Sequence, residues 1–214
     1  MVRTLKDKAM DYFLTVYLVN DAFSRRNIRF LSETKLQKLV FLSEKSMIDE
    51  REKGFNFYFI KLTHGPFSQE LRSTLEKLLQ TRFFNDFGLK PTHNAKLILE
   101  DFQDVIERNH TFFQKITIVN DRFATMPLER LLNTIYEMPW GRGGARTIAD
   151  LPPRTPMLYP MKPHIVMREL KITDDEVENL LMNFDPRAVK DLSEAMRDAR
   201  EGRWRTYEQV FSGL

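Results

Sequence analysis

The stretch LTHGPFSQELRSTLEKLL, residues 62–79, places His64 four positions before Ser68, and these are the residue types of a general base and a nucleophile. The serine lacks the GxSxG context of a nucleophile elbow. It stands directly before a helical leucine pattern, where a hydroxyl accepts a backbone N–H as an N-cap. We therefore predict a structural turn in which Pro66 sets the chain direction, Ser68 caps the next helix and His64 hydrogen-bonds locally.

The other residues that could carry chemistry do not form a recognisable site. No histidine has a second histidine or a carboxylate at the i+4 spacing of a zinc-binding helix; the histidines are His64, His93, His110 and His164. The glycine cluster WGRGGAR, residues 140–146, has neither GxGxxG spacing nor a GK[ST] ending. The acidic residues of 49–52 and 174–176 are expected at solvated helix ends, where nothing separates their pKa values. We expect no catalytic residue, no metal, no cofactor and no enzyme activity.

The composition is that of a globular chain with an even charge balance. Of 214 residues, 42% are hydrophobic, and 33 Lys and Arg face 30 Asp and Glu for a net charge of +3. This balance is not the dense positive field of a dedicated nucleic-acid coat. The sequence has no cysteine, no signal-peptide pattern and no run of 18 apolar residues. It predicts a cytoplasmic protein without a membrane partner.

Hydrophobic periodicity predicts a mainly α fold with a small β element (α+β). The run FNFYFI, residues 55–60, is typical of a strand, and FFNDFGLK, residues 83–90, of a small hairpin. The order helix, strand, helix, hairpin over residues 30–107 is winged-helix-like. Helices are predicted at 6–25, after the caps Ser32, Ser68 and Thr92, and at 110–122 and 127–138.

Proline and glycine divide the chain. Residues 139–163 hold six of the ten prolines and three of the eight glycines, so no regular element is expected there. We predict a helical domain over 1–138, a connecting loop over 139–171 and a helical tail over 172–214. Capping signals begin the tail helices at Thr173, with Glu176 completing a capping box, and at Asp185-Pro186. The aromatic end either packs on its own domain or inserts into a partner groove; its anchors are Trp204, Tyr207, Val210 and Phe211.

A nucleic-acid interface is an alternative that rests on scattered cations. A winged helix would use such residues to contact phosphates. Solvated helix faces explain the same charges, because acids such as Glu33, Glu70 and Asp86 lie close by in the sequence. The candidate cations are Lys35, Lys38, Arg72, Lys77, Lys90 and Lys96.

Four segments in order resemble a known family. TKLQKLVFLSEK at 34–45, an aromatic strand, HGPFSQEL, and LERLLNTIYEMPW at 128–140 are similar to the Panacea (SocA-like) antitoxin domain and its YwgA-like relatives, over residues 5–138. The positions that match the family's motif are Lys35, Gln37, Lys38, His64, Gly65, Pro66 and Ser68.

The resemblance implies a mostly helical domain that neutralises a partner toxin by direct contact, with no catalytic role for the motif residues. Related proteins act as adaptors that deliver a toxin to a protease. The end segment DLSEAMRDAREGRWRTYEQVF also resembles the C-terminal segments of small bacterial antitoxins. The leading hypothesis is therefore an antitoxin-like interaction protein. The alternative is a winged-helix-like DNA-binding regulator, acting on its own promoter, and homo-oligomerisation is left open.

Overall fold

The computed structural model describes residues 3–141, 146–158 and 167–201. Within these ranges the fold is mainly α with a small β element, as predicted. The helices are α1 Leu5–Arg26, α2 Glu33–Asp49, α3 Gln69–Gln80, α4 His93–Asp101, α5 Gln103–Arg108, α6 His110–Phe123, α7 Leu128–Tyr136, α8 Asp174–Phe184 and α9 Pro186–Arg200. The strands are β1 Glu52–Lys53, β2 Phe59–Leu62, β3 Gly65–Phe67, β4 Pro139–Trp140, β5 Arg146–Thr147, β6 Pro156–Leu158 and β7 Arg168–Glu169. None of the helices in the described ranges is long and apolar enough to cross a bilayer.

Helix α1 is the centre of the molecule. A capping box at Thr4 and Asp7 begins it, and Asn27 ends it in the left-handed region. Residues 9–16 are buried on every side because α2, α3, α4, α6 and α8 all contact α1. A polar side chain on a helix that is surrounded in this way needs a hydrogen-bond partner inside the protein. This requirement applies to Asp11.

The proline-rich segment contains regular structure, so the prediction of none over 139–163 is wrong. Strand β6 pairs with β2 and completes a three-stranded sheet in the order β3-β2-β6, while β4 pairs with β5. Ile148, Met157 and Leu158 are buried, and this apolar content holds the segment against the body. Pro156 is tolerated because β6 is an edge strand. Strand β7 pairs in parallel with β1.

Two β predictions need correction. The strand expected over 55–60 begins only at Phe59, because the backbone N–H of Asn56 donates to the Asp11 carboxylate (2.7 Å) instead of to a strand. The hairpin expected over 83–90 is reduced to a single bridge between Phe84 and Pro91. Proline has no N–H to extend the ladder. The wing of the winged-helix-like unit is therefore a turn with one bridge.

Helix α8 packs into the same hydrophobic core as the helices that precede it in the chain. The predicted capping box of Thr173 and Glu176 is present. Phe184 is buried, with its ring centroid 5.2 Å from that of Tyr12 and 4.8 Å from that of Phe83. Full burial of such a side chain contributes about 2 kcal/mol. The helix predicted after Asp185 is also present as α9.

Candidate functional site

Two of the segments that carry the family resemblance, KLQKL of α2 and HGPFS, contact each other. Gln37 of α2 donates from Nε2 to the Ser68 carbonyl (3.0 Å) and accepts from the Ser68 N–H at Oε1 (2.9 Å). Lys38 donates from Nζ to the Pro66 carbonyl (2.9 Å). The Ser68 hydroxyl accepts from the Leu71 N–H, as the N-cap prediction requires. These motif residues thus fasten the β3–α3 connection onto α2.

His64 lies at the turn between β2 and β3, beside Gly65 with φ +81°. The Tyr136 hydroxyl donates to the Thr63 carbonyl (2.7 Å) and ties α7 to this turn. His64 is exposed and lines a pocket of about 330 Å³ together with Lys38. The predicted local hydrogen bond of His64 is absent from the described part of the chain, because the turn leaves the imidazole in solvent.

The cations proposed for nucleic-acid binding do not form one surface. Burial lowers the pKa of Lys38 to about 8, and the side chain is only 2% exposed. Burial also lowers the pKa of Lys35, whose ammonium donates to the Ala124 carbonyl (2.5 Å). Arg72 lies 3.5 Å from Glu76, and Lys77 lies over the Tyr12 ring. Each of these four cations, from Lys35 to Lys77, therefore already contacts another group of the protein.

The two remaining cations, Lys90 and Lys96, line a different groove of about 570 Å³. Arg29, which the sequence analysis did not select, joins them there. Phe30 and Phe87 lie beside these residues in the chain and are 53% and 86% exposed. The sequence already contained a sign of this cluster of cations and exposed aromatic residues. In the α1–α2 connection Arg29 directly precedes Phe30, and Phe87 occupies the NDFG turn.

A buried carboxyl pair was also missed. Asp11 is fully buried, accepts from Arg3 (2.7 Å) and from the Asn56 N–H, and burial raises its pKa to about 7. Glu44 of α2 is fully buried too, and burial, together with the nearby Asp11 charge, raises its pKa well above the usual value. Neither Glu44 oxygen has a hydrogen-bond partner of good geometry among the described residues. Burial in this setting disfavours the charged form of each carboxyl group.

Glu52 was expected at a solvated helix end, and this prediction is wrong. Its carboxylate is 3% exposed, lies 2.9 Å from Lys115 and also pairs with Arg168. Glu50 lies 2.8 Å from the same lysine but is exposed. The network joins α6 to the β1–β7 ladder. Within the described ranges, three or more His, Cys, Asp or Glu side chains do not gather into a metal-binding group.

Helix α9 packs against little of the described part of the chain. Its main contact is with α8, and none of its side chains that the structure describes is buried. Met196 is 50% exposed, and Met182 of α8 is 62% exposed. The predicted anchors beyond α9 lie outside the described residues; they are Trp204, Tyr207, Val210 and Phe211.

Comparison with family models, curated proteins and solved structures gave no match to this chain. The likeness to the Panacea domain therefore stays a prediction, and function is inferred from the arrangement of the residues themselves.

Proposed function

We propose that this chain is a non-enzymatic, antitoxin-like interaction protein that neutralises a partner toxin by direct binding, with α9 and the residues after it as the contact. The observation that carries the proposal is the exposure of α9. Its sequence is amphipathic, with Val189, Leu192 and Met196 at helical spacing, yet Met196 is half exposed. An amphipathic helix that exposes an apolar side chain in this way can lie in the groove of a partner.

The role of the motif residues supports the same function. Gln37, Lys38 and Ser68 are consumed by contacts within the fold. This is the arrangement expected of a scaffold that holds a binding element. The duplex-DNA regulator has less support, because four of its six proposed cations have partners inside the protein.

The test is neutralisation of a growth-arresting protein encoded beside this chain in its native host. The full chain, a Met196→Glu variant and a Lys190→Glu variant are each co-expressed with that protein. Lys190 lies on the same helix and is 73% exposed at its side chain, so the second variant controls for added negative charge on α9. Thermal melting confirms that both variants fold.

We expect the full chain and Lys190→Glu to co-purify with the toxin and restore growth, while Met196→Glu loses both. Rescue that survives Met196→Glu together with removal of residues 202–214 would contradict the proposed contact. Absence of rescue by the full chain would contradict the antitoxin function itself.

A further inference from the structure

In the groove between the end of α1 and the start of α4, all the charged lining residues are cations. Its nine lining residues include three cations and no carboxylate. They are Asn20, Phe23, Ser24, Asn27, Ile28, Arg29, Lys90, Pro91 and Lys96. The acids that stand near the lining residues in the sequence do not line it; they are Asp21, Glu33, Asp86 and Glu100.

The three cations of this groove have no anionic partner in the described part of the chain. Among the described residues, Arg29, Lys90 and Lys96 form no ion pair. By contrast, Arg25 and Arg26 at the end of α1 pair with aspartates. Three like charges around one depression, without a counter-charge, favour a polyanionic ligand.

Two exposed aromatic residues, Phe30 and Phe87, are close to these cations in the chain, although neither lines the groove itself. Phe30 follows Arg29 directly, and the Phe30 and Phe87 rings are 5.7 Å apart in an edge-to-face arrangement. The loops that carry them are joined, since the Leu31 N–H donates to the Gly88 carbonyl (3.0 Å). Gly88 has φ +71°, and a Cβ there would lie 2.7 Å from the Phe30 ring. The aromatic pair is thus held in place by backbone contacts.

The floor of the groove also offers an acceptor. Asn20 lines it, and the Asn20 Oδ1 has no hydrogen-bond partner among the described residues although it is buried. An unpaired buried amide oxygen is unfavourable until a donor reaches it. A donor on the Watson–Crick edge of an unpaired base, such as the N3–H of thymine, is such a group.

We propose that this groove binds single-stranded nucleic acid, with Arg29, Lys90 and Lys96 on the phosphates and Phe87 stacking on a base. Aromatic stacking requires an exposed base face, which a single strand offers and a duplex interior does not. The proposal is independent of the toxin contact, because the groove and α9 share no residue.

The test is fluorescence anisotropy of a labelled oligothymidine, about 12 nucleotides long, with purified full chain at low and moderate salt. Three phosphate contacts on a single strand predict that log affinity falls against log salt concentration with a slope of about −2. Lys90→Glu with Lys96→Glu should lower the affinity at least about tenfold and flatten this slope. Phe87→Ala should lower it about five- to hundred-fold.

Controls separate this proposal from the alternatives. Phe87→Trp should retain binding, whereas Phe87→Leu, which keeps an apolar side chain but no ring, should weaken it about as much as Phe87→Ala does. Arg72→Ala and Met196→Glu should bind like the unaltered chain. Two results would overturn the proposal: no binding of the oligothymidine at low salt, or binding that is equal for duplex and single strand and indifferent to Phe87→Ala. The latter would leave only non-specific attraction of a polyanion.

Discussion

Gln37 holds the backbone of Ser68 from both sides, donating to its carbonyl at 3.0 Å and accepting from its N–H at 2.9 Å. Both residues are buried, at 2% and 1% exposure. The pair mimics one rung of a β-ladder, with a helix side chain in place of a neighbouring strand. It therefore fixes where β3 ends and where α3 begins.

Replacement of Gln37 by Ala should destabilise the protein strongly. The change leaves a buried N–H and a buried carbonyl without partners, and each unsatisfied group costs about 1–3 kcal/mol. We expect the free energy of unfolding to fall by on the order of 3 kcal/mol in urea denaturation. A loss below about 1 kcal/mol would show that water replaces the amide.

The matched comparison at the same turn is His64→Ala. Because His64 is exposed, we expect a change within about 0.5 kcal/mol in the same denaturation series. This differs from the stability role that the sequence predicts for His64. A large loss for His64→Ala would restore that role.

The pKa of Asp11 predicts an unusual dependence of stability on pH. Burial raises this pKa to about 7, whereas the unfolded chain loses the same proton near pH 4. Between these values the folded state binds more protons than the unfolded state, so the contribution of Asp11 to stability falls as pH rises from about 4 to about 7. Glu44 acts in the same direction because its pKa is also raised.

Asp11→Asn removes this proton linkage while keeping an acceptor for the Asn56 N–H. As pH rises from 4 to 7, the unaltered chain should therefore lose stability relative to Asp11→Asn. The expected change in the difference between their free energies of unfolding is on the order of a few kcal/mol. Asp49→Asn, at an exposed carboxylate paired with Lys45, is the control. A pH-independent difference for Asp11→Asn would mean that Asp11 stays ionised throughout.

Local patterns predicted the helices well because helical contacts span only three or four residues. The Ser32 and Ser68 caps and the Thr173 capping box are all present. The strands were harder, because their partners are distant: β2 pairs with β6 across almost a hundred residues, and one N–H of the aromatic run goes to Asp11 of α1. No local pattern encodes such partners.

The site was predictable in part. Both halves of the Gln37–Ser68 contact were selected from the sequence, but their contact joins positions 31 residues apart and required the fold. Glu44 was visible in principle, since it lies on the same helical stripe as Val40 and Met47. Asp11 was not, because α1 is surrounded on all sides and its pattern does not distinguish a buried face.

Glu52 should contribute far more to stability than its neighbour Glu50. Lys115 is 10% exposed at its side chain and contacts both carboxylates, but only Glu52 is buried with it. Glu52→Ala leaves Lys115 with a single exposed partner, and breaking a buried pair costs about 3–5 kcal/mol. Glu50→Ala should cost no more than about 1 kcal/mol. Equal losses in urea denaturation would show that the two carboxylates are interchangeable.

Asn109 makes a second contact of the Gln37 kind, this time to the segment that precedes α8. Its Nδ2 donates to the Lys171 carbonyl (2.9 Å) and its Oδ1 accepts from the Lys171 N–H (2.7 Å). Asn109→Ala should lower the free energy of unfolding by about 2 kcal/mol and accelerate hydrogen exchange at the Lys171 amide.

Asn183→Ala is the matched control, since Asn183 is exposed and its amide donates only to Asn179 one turn back in α8. If the contact at Lys171 attaches α8 to the rest of the protein, Asn109→Ala should also expose Phe184. The NMR signals of its neighbours Tyr12 and Phe83 should then shift or broaden in this variant. They should stay unchanged in Asn183→Ala. Unchanged exchange at Lys171 in Asn109→Ala would place the attachment of α8 in the Phe184 contacts alone.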